Sequence, residues 1–218
     1  MPPSLKQRTQ RVLSHVVGRV TGTPTVDAGH GQMTGVLSPW LEARRVQKAQ
    51  EFIGDGLNML DVGCGRVPLL DVIKPARYVG LDILDAVVDG NKARFPEHEF
   101  HVWDVQSRSV GELGQFDVIV MLAVLEHFPA PIQALRNLAD GLSGHGRIIL
   151  TTPHPSGERV LDWGAVVGVC SPEAEDEHQP LMCQSALRDA AREAGLVVLH
   201  YERFLARFNQ LAVLGKPR

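Results

Sequence analysis

Three cysteines, Cys64, Cys170 and Cys183, are the only thiols in 218 residues. They form neither a Cys-x-x-Cys pair nor an even-numbered disulfide framework, so the expected setting is a reducing compartment. The opening Met1-Pro-Pro-Ser-Leu-Lys-Gln-Arg has no apolar core of a secretory signal, and no later apolar run is long enough to span a bilayer. Long basic runs are missing too, and the net charge is -3, which argues against a broad nucleic-acid surface. Internal repeats and low-complexity tracts are absent. These absences lead to the expectation of a soluble cytoplasmic domain with no nucleic-acid partner and no membrane span.

What is present is enough apolar material, 44% of residues, to bury one full core. Leu5, Val12, Leu13, Val16, Val17 and Val20 lie on one helical stripe, and Thr21 to Gly35 reads as a loop. Ser38-Pro39 supplies an N-cap and a first-turn proline for a second helix ending near Phe52. Strand-like runs follow at 57–62, 78–82, 100–104, 116–122 and 147–152, alternating with helical patterns at 84–95 and 132–142. Such alternation predicts an α/β fold built from βαβ units, with a parallel sheet and helices on both faces. A helix over 184–194 stops at Gly195, and two strands, 196–204 and 209–215, close the chain. Between them Pro153 to Met182 has no clear period, and a connection of this length inside a compact domain is usually functional. The expected division is a helical extension or cap over 1–55 and a main domain over 56–218 with a lid-like insertion at 153–182.

Most functional information sits in Asn58-Met-Leu-Asp-Val-Gly-Cys-Gly65, an apolar strand that meets Asp61 and then turns tightly at Gly63 and Gly65. At Asp82 a second apolar strand also ends in an acid. A nucleotide-like ligand lying across strand ends needs glycines for close backbone approach and a carboxylate for its ribose hydroxyls. The nicotinamide-type fingerprint fails, because Pro68 stands where its third glycine belongs and Asp61 precedes the first.

Leu-Asp-Val-Gly-Cys-Gly resembles the first motif of class I S-adenosylmethionine-dependent methyltransferases of the small-molecule type. Val67 occupies the position of that family's common third glycine. The resemblance continues in register from about Asn58 to the C-terminus. Tyr78-Val-Gly-Leu-Asp82 is similar to the second motif, whose acid bonds the cofactor ribose. Phe100-His-Val-Trp-Asp104 is similar to the third, whose acid accepts from the adenine amino group. Phe116 to His127 resembles the fourth strand with its Leu-Glu-His element, and Gly144 to Pro153 the fifth. The resemblance implies a Rossmann-like, doubly wound seven-stranded sheet with the last strand antiparallel. It also implies S-adenosyl-L-methionine as cofactor and a small-molecule acceptor. The implied cofactor-binding residues are Asp61, Gly63, Cys64, Gly65, Asp82, Ile83, Asp104, Val105, Met121 and Leu122.

The sulfonium methyl is intrinsically electrophilic, so a base is needed only for an acceptor that carries a proton. Histidine is best matched to neutral pH. His154, directly after the fifth strand, is the first candidate, with His178 on the acidic loop and His127 in Leu-Glu-His after it. Glu126 and His127 can equally hold the loop after strand four. Cys64 reads as a small filler in the glycine turn. The acidic run Glu173 to Glu177 has no histidine cluster at ligand spacing, so no metal is expected. A catalytically silent cofactor-binding protein and a nicotinamide-dependent oxidoreductase are the alternatives. An Asn-Pro-Pro-Tyr type motif for nucleic-acid methylation is missing after strand four, where Met121-Leu-Ala-Val stands.

Overall fold

The computed structural model describes residues 38–65, 69–157 and 182–217, with the side chains of Ser38, Pro39 and Asp71 left undescribed. The expected helix over Leu5 to Val20, the turn residues Val67 and Pro68, and most of Pro153 to Met182, His178 included, lie outside the described residues.

Seven strands form one sheet in the order β3-β2-β1-β4-β5-β7-β6. They are β1 (Asn58–Val62), β2 (Arg77–Asp82), β3 (Glu99–Val102), β4 (Phe116–Leu122), β5 (Leu142–Pro153), β6 (Val197–Phe204) and β7 (Asn209–Gly215). The first five run parallel, and β7 is antiparallel to both β5 and β6. The expected fold class is therefore the observed one. The chain moves outward from β1 to β3, then returns to β4 on the other side of β1. That reversal opens a crevice at the carboxyl ends of β1 and β4, where ligands of open α/β sheets bind.

Buried apolar runs explain the central strands: β7 is buried at every position, and all of β1 except Asn58 is buried. One face packs Leu60, Leu81, Ile119, Met121, Ile148 and Leu150 against α3 (Pro131–Asp140) and α4 (Gln184–Glu193). On the other, Met59, Tyr78, Val118, Val120, Ile149 and Leu211 meet α1 (Ser38–Gln50) and α2 (Asp85–Arg94). Helix α4 stops as expected: Gly195 and Leu196 donate their N–H groups back to the carbonyls of Arg192 and Ala191.

Two boundaries differ from expectation. Strand β3 ends at Val102, so Trp103 and Asp104 lie past it, and the Trp103 N–H donates to the Asp82 carbonyl at 2.9 Å. Strand β5 begins at Leu142, opposite Phe116, and its next partner pair is Val118 with Arg147. Residues 143–146 therefore bulge opposite a single residue, Asp117, and Gly144 and Gly146 lie within that bulge.

Candidate functional site

The crevice is built from β1 outward. After Val62 the chain enters the left-handed region at Gly63 (φ +66°) and Gly65 (φ +60°), which glycine adopts at little cost. A Cβ on Gly63 would lie 2.5 Å from Cγ2 of Val124, so the turn after β1 and the loop after β4 touch. The turn is anchored on three sides. Cys64 donates its N–H to the Leu81 carbonyl (2.9 Å), and Gly65 donates to Oδ2 of Asp82 (3.1 Å). Asn91, buried on α2, donates to the Gly65 carbonyl at 2.7 Å.

Asp82 ends β2 with one backbone N–H on each carboxylate oxygen: Gly65 on Oδ2 and Leu84 on Oδ1, both at 3.1 Å. A carboxylate oxygen has two lone pairs. Asp82 thus holds the turn and keeps acceptor capacity on each oxygen for a diol. Asp104 is exposed, and its Oδ1 takes the Gln106 N–H at 2.9 Å, which leaves Oδ2 for an amino group. Between the two acids, Ile83, Leu84 and Val102 are exposed apolar side chains. Apolar surface flanked by acids suits a flat base with polar edges.

Asp61 lies deeper. It is buried on β1, and the Tyr78 hydroxyl on β2 donates to its Oδ2 at 2.6 Å. Burial raises the Asp61 carboxyl to about 6, against the Tyr78 hydroxyl and the Leu69 backbone N–H, which favour the anion; neighbouring Asp82 raises it further. At neutral pH Asp61 is an anion beneath the turn, suited to an ammonium group. Cys64 is buried, and burial followed by the charges of Asp61 and Asp82 pushes its thiol well up, so it is a packing group and no nucleophile. The side chains of Met121 and Val105 face the core, which leaves only their backbone to reach a ligand. Leu122 is half-buried, and the next residue, Ala123, is held at φ +57° with its N–H on the Thr151 carbonyl. A non-glycine residue in that region costs energy and tends to mark a functional turn.

The candidate bases separate. His154 follows β5, and the Ser156 backbone N–H donates to its Nδ1 at 3.0 Å. A backbone N–H can only donate, so the neutral ring carries its proton on Nε2 and presents a donor there. Burial, with Arg203 and Arg207, lowers the His154 pKa. His127 is exposed in the 3-10 turn Leu125–His127. Glu126 beside it is buried, and burial raises its carboxyl to about 7 against its own backbone amide and Arg45. Arg45, on α1, donates Nε to Oδ1 of buried Asn209 at the start of β7 (3.0 Å).

The structure therefore brings Asp61, Gly63, Cys64, Gly65, Asp82, Ile83, Asp104, Met121 and Leu122 to the carboxyl ends of β1, β2, β3 and β4, and His127 and His154 to the ends of β4 and β5. Tyr78, Leu84, Asn91, Val102 and Arg45 escaped the sequence reading. Leu84 and Val102 had a signal, since each lies two residues from a strand-end acid. The others did not, because their roles arise from contacts between distant segments.

Residues 34–201 match the methyltransferase domain family. The chain belongs to this family, the class I S-adenosylmethionine-dependent methyltransferases. It is 29% identical over 157 residues to a ubiquinone biosynthesis O-methyltransferase of Marinobacter nauticus, covering 66% of this chain and 65% of that protein. A dTDP-4-amino-2,3,4,6-tetradeoxy-D-glucose N,N-dimethyltransferase of Saccharopolyspora spinosa is 26% identical over 135 residues, 60% of this chain and 53% of its own. The chain thus spans just under two thirds of the first relative's length and about half of the second's. Among solved structures, magnesium protoporphyrin IX methyltransferase of Synechocystis PCC 6803 with bound S-adenosylhomocysteine superposes with a TM-score of 0.61 at 16% identity, over 98% of each chain. N-methyltransferase NodS of Bradyrhizobium japonicum WM9 in complex with the same product gives 0.60 at 14%, again over 98% of each. These two likenesses establish the fold.

Proposed function

We propose that this protein transfers the methyl group of S-adenosyl-L-methionine to a small-molecule acceptor. One observation carries the reading: three carboxylates, Asp61 one residue before the end of β1, Asp82 at the end of β2 and Asp104 two residues past the end of β3, stand on three adjacent strands around a double left-handed glycine turn. Asp61 fits the ammonium end of the cofactor, Asp82 its ribose hydroxyls and Asp104 its adenine amino group. Ile83, Leu84 and Val102 provide apolar contact for the base. When bound, the cofactor supplies an electrophilic methyl on sulfur, so the protein's work is orientation and exclusion of water. In this reading the backbone at Met121, Leu122 and Val105 completes that cradle.

The acceptor then belongs on the β4-β5-β7 side of the crevice, where His127 and His154 also stand. We assign residues 1–55 to a helical extension and 56–218 to the catalytic domain. The insertion at 153–182 enters this edge after β5 and returns where Gln210 Nε2 donates to the Met182 carbonyl at 2.6 Å. Among the described residues no helix is long and apolar enough to cross a membrane. Cys64 and Cys183 are both free thiols, which supports a cytoplasmic setting. Thermal stabilisation by S-adenosylhomocysteine, with none from NAD, tests the proposal. Stabilisation by NAD alone would overturn it.

A further inference from the structure

Two buried side-chain oxygens near the site have no hydrogen-bond partner among the described residues: Oε2 of Glu126 and Oγ1 of Thr151. Glu126 lies in the turn after β4, whose Val124 abuts Gly63. Thr151 is fully buried on β5, opposite Leu122 of β4 and Leu211 of β7. Strand alternation puts Thr151 on the face that carries Ile149 and packs against α1. Both oxygens therefore belong to the carboxyl edge of the sheet, on the acceptor side of the switch point. Buried polar atoms in native proteins are almost always satisfied, and those that are not need a reason. A carboxylate can only accept, whereas a threonine hydroxyl both donates and accepts. A ligand hydroxyl satisfies both, by donating to Glu126 and accepting from Thr151. An amine nucleophile has one lone pair, which it must keep for attack, so it cannot also accept from Thr151.

We propose that Glu126 is the general base of this enzyme and that its acceptor is a hydroxyl compound, steered by Thr151. The proposal rests on the methyltransferase reading above. In the step it describes, the acceptor oxygen loses its proton to Glu126 and gains the methyl carbon. The electron pair of the broken carbon-sulfur bond stays on sulfur as the neutral thioether, and the proton leaves Glu126 for water afterwards. Among the described residues the charged group that acts on Glu126 is Arg45 of α1, which Glu42 also faces, and His127 is its neighbour in sequence; Asn209 of β7, bonded to Arg45, is neutral. Arg45 acts on Glu126 through space and no ion pair joins them, so the carboxylate is free to take a proton. Burial already raises its affinity for one to the neutral range.

The test uses the full chain, with E126Q and T151V, against a panel of matched phenols, alcohols and primary amines scored by homocysteine release. The expected result is methylation of hydroxyl members, with E126Q lowering kcat by roughly 10²–10⁴-fold. S-adenosylhomocysteine affinity of E126Q by calorimetry should stay within about 2-fold of the parent, since proton transfer contributes nothing to cofactor binding. The acid limb of the kcat profile should vanish in E126Q, and T151V should raise KM more than it lowers kcat. Full turnover by E126Q, methylation of amines only, or no product from any hydroxyl member would overturn the assignment. So would loss of cofactor affinity in E126Q, which would make Glu126 structural. Failure of the parent protein to bind S-adenosylhomocysteine would strike the methyltransferase reading instead.

Discussion

Replacing Tyr78 by Phe removes the one hydroxyl that donates to Asp61, and it should weaken cofactor binding in a pH-dependent way. Tyr78 donates to buried Asp61 at 2.6 Å and favours its anion. A hydrogen bond to a charged group contributes about 1.5–3 kcal/mol, which is roughly one to two pKa units. Asp61 already titrates at about 6 because burial disfavours its charge. Without the hydroxyl it should titrate near ~7–8. The cofactor's ammonium needs the anion, so affinity falls by the fraction of Asp61 that is protonated. For the parent protein that predicts little loss at pH 7 and about 10-fold at pH 5. For Tyr78→Phe it predicts about 2- to 10-fold at pH 7, shrinking as the pH is raised toward 8.5. Calorimetric titration with S-adenosylhomocysteine at pH 5, 7 and 8.5 measures this directly. A folded variant that binds as tightly as the parent at pH 7 would refute the reasoning. So would a loss that stays constant across pH, because then Tyr78 acts by packing alone.

Asp82→Ala should lower S-adenosylhomocysteine affinity by about 10–100-fold in calorimetry, through the ribose hydroxyls and through release of the Gly65 and Leu84 N–H groups it holds. Gly63→Ala should destabilise the fold by ~1–2 kcal/mol in urea unfolding from its left-handed backbone alone, plus a clash with Val124, and adding Val124→Ala should relieve only the clash. Glu126→Gln should stabilise the protein at high pH. The folded-state pKa of Glu126 is raised from 4.5 to about 7, so the folded state binds the extra proton and parent stability falls as pH rises between those values. Urea unfolding should show a gain for the Gln variant on the order of 3 kcal/mol at pH 8 and almost none below pH 4.5, and an equal gain at both would mean the charge is not the cause.

The parts of the site that were legible from sequence share one property: each is local to a strand end. Asp61, Asp82 and Asp104 all follow apolar runs, and an apolar run that meets an acid fixes both the strand and the edge from which the acid projects. Gly63 and Gly65 announce themselves because few other residues reach positive φ. What the sequence conceals are pairings across the fold. Tyr78 reads as a bulky strand residue until β2 is laid beside β1, where its hydroxyl meets Asp61. Arg45 and Asn209 are separated by 164 positions and meet only because α1 packs on the sheet face beside the start of β7. The start of β5 was hidden differently: Ser143-Gly-His-Gly146 carries turn chemistry, and it is used as a bulge within a strand.

The choice of base shows how burial overrides intrinsic chemistry. Read along the chain, histidine is the natural candidate, because its ordinary pKa lies near neutrality and that of glutamate does not. Folding reverses the order. His154 is held by the Ser156 N–H so that its proton sits on the outer nitrogen, while burial, with the nearby Arg203 and Arg207, lowers its pKa and favours the neutral ring. A neutral ring in that tautomer donates and cannot take a proton at the outer nitrogen. Glu126 moves the opposite way. The turn after β4 buries it, one oxygen is left without a partner among the described residues, and desolvation carries its pKa to about 7. Arg45 lies close enough to act on that charge and is engaged with Asn209, so it limits the shift without pairing the carboxylate. The Leu-Glu-His element thus presents an exposed histidine and a buried glutamate, and it is the buried one that the fold tunes for proton transfer at neutral pH.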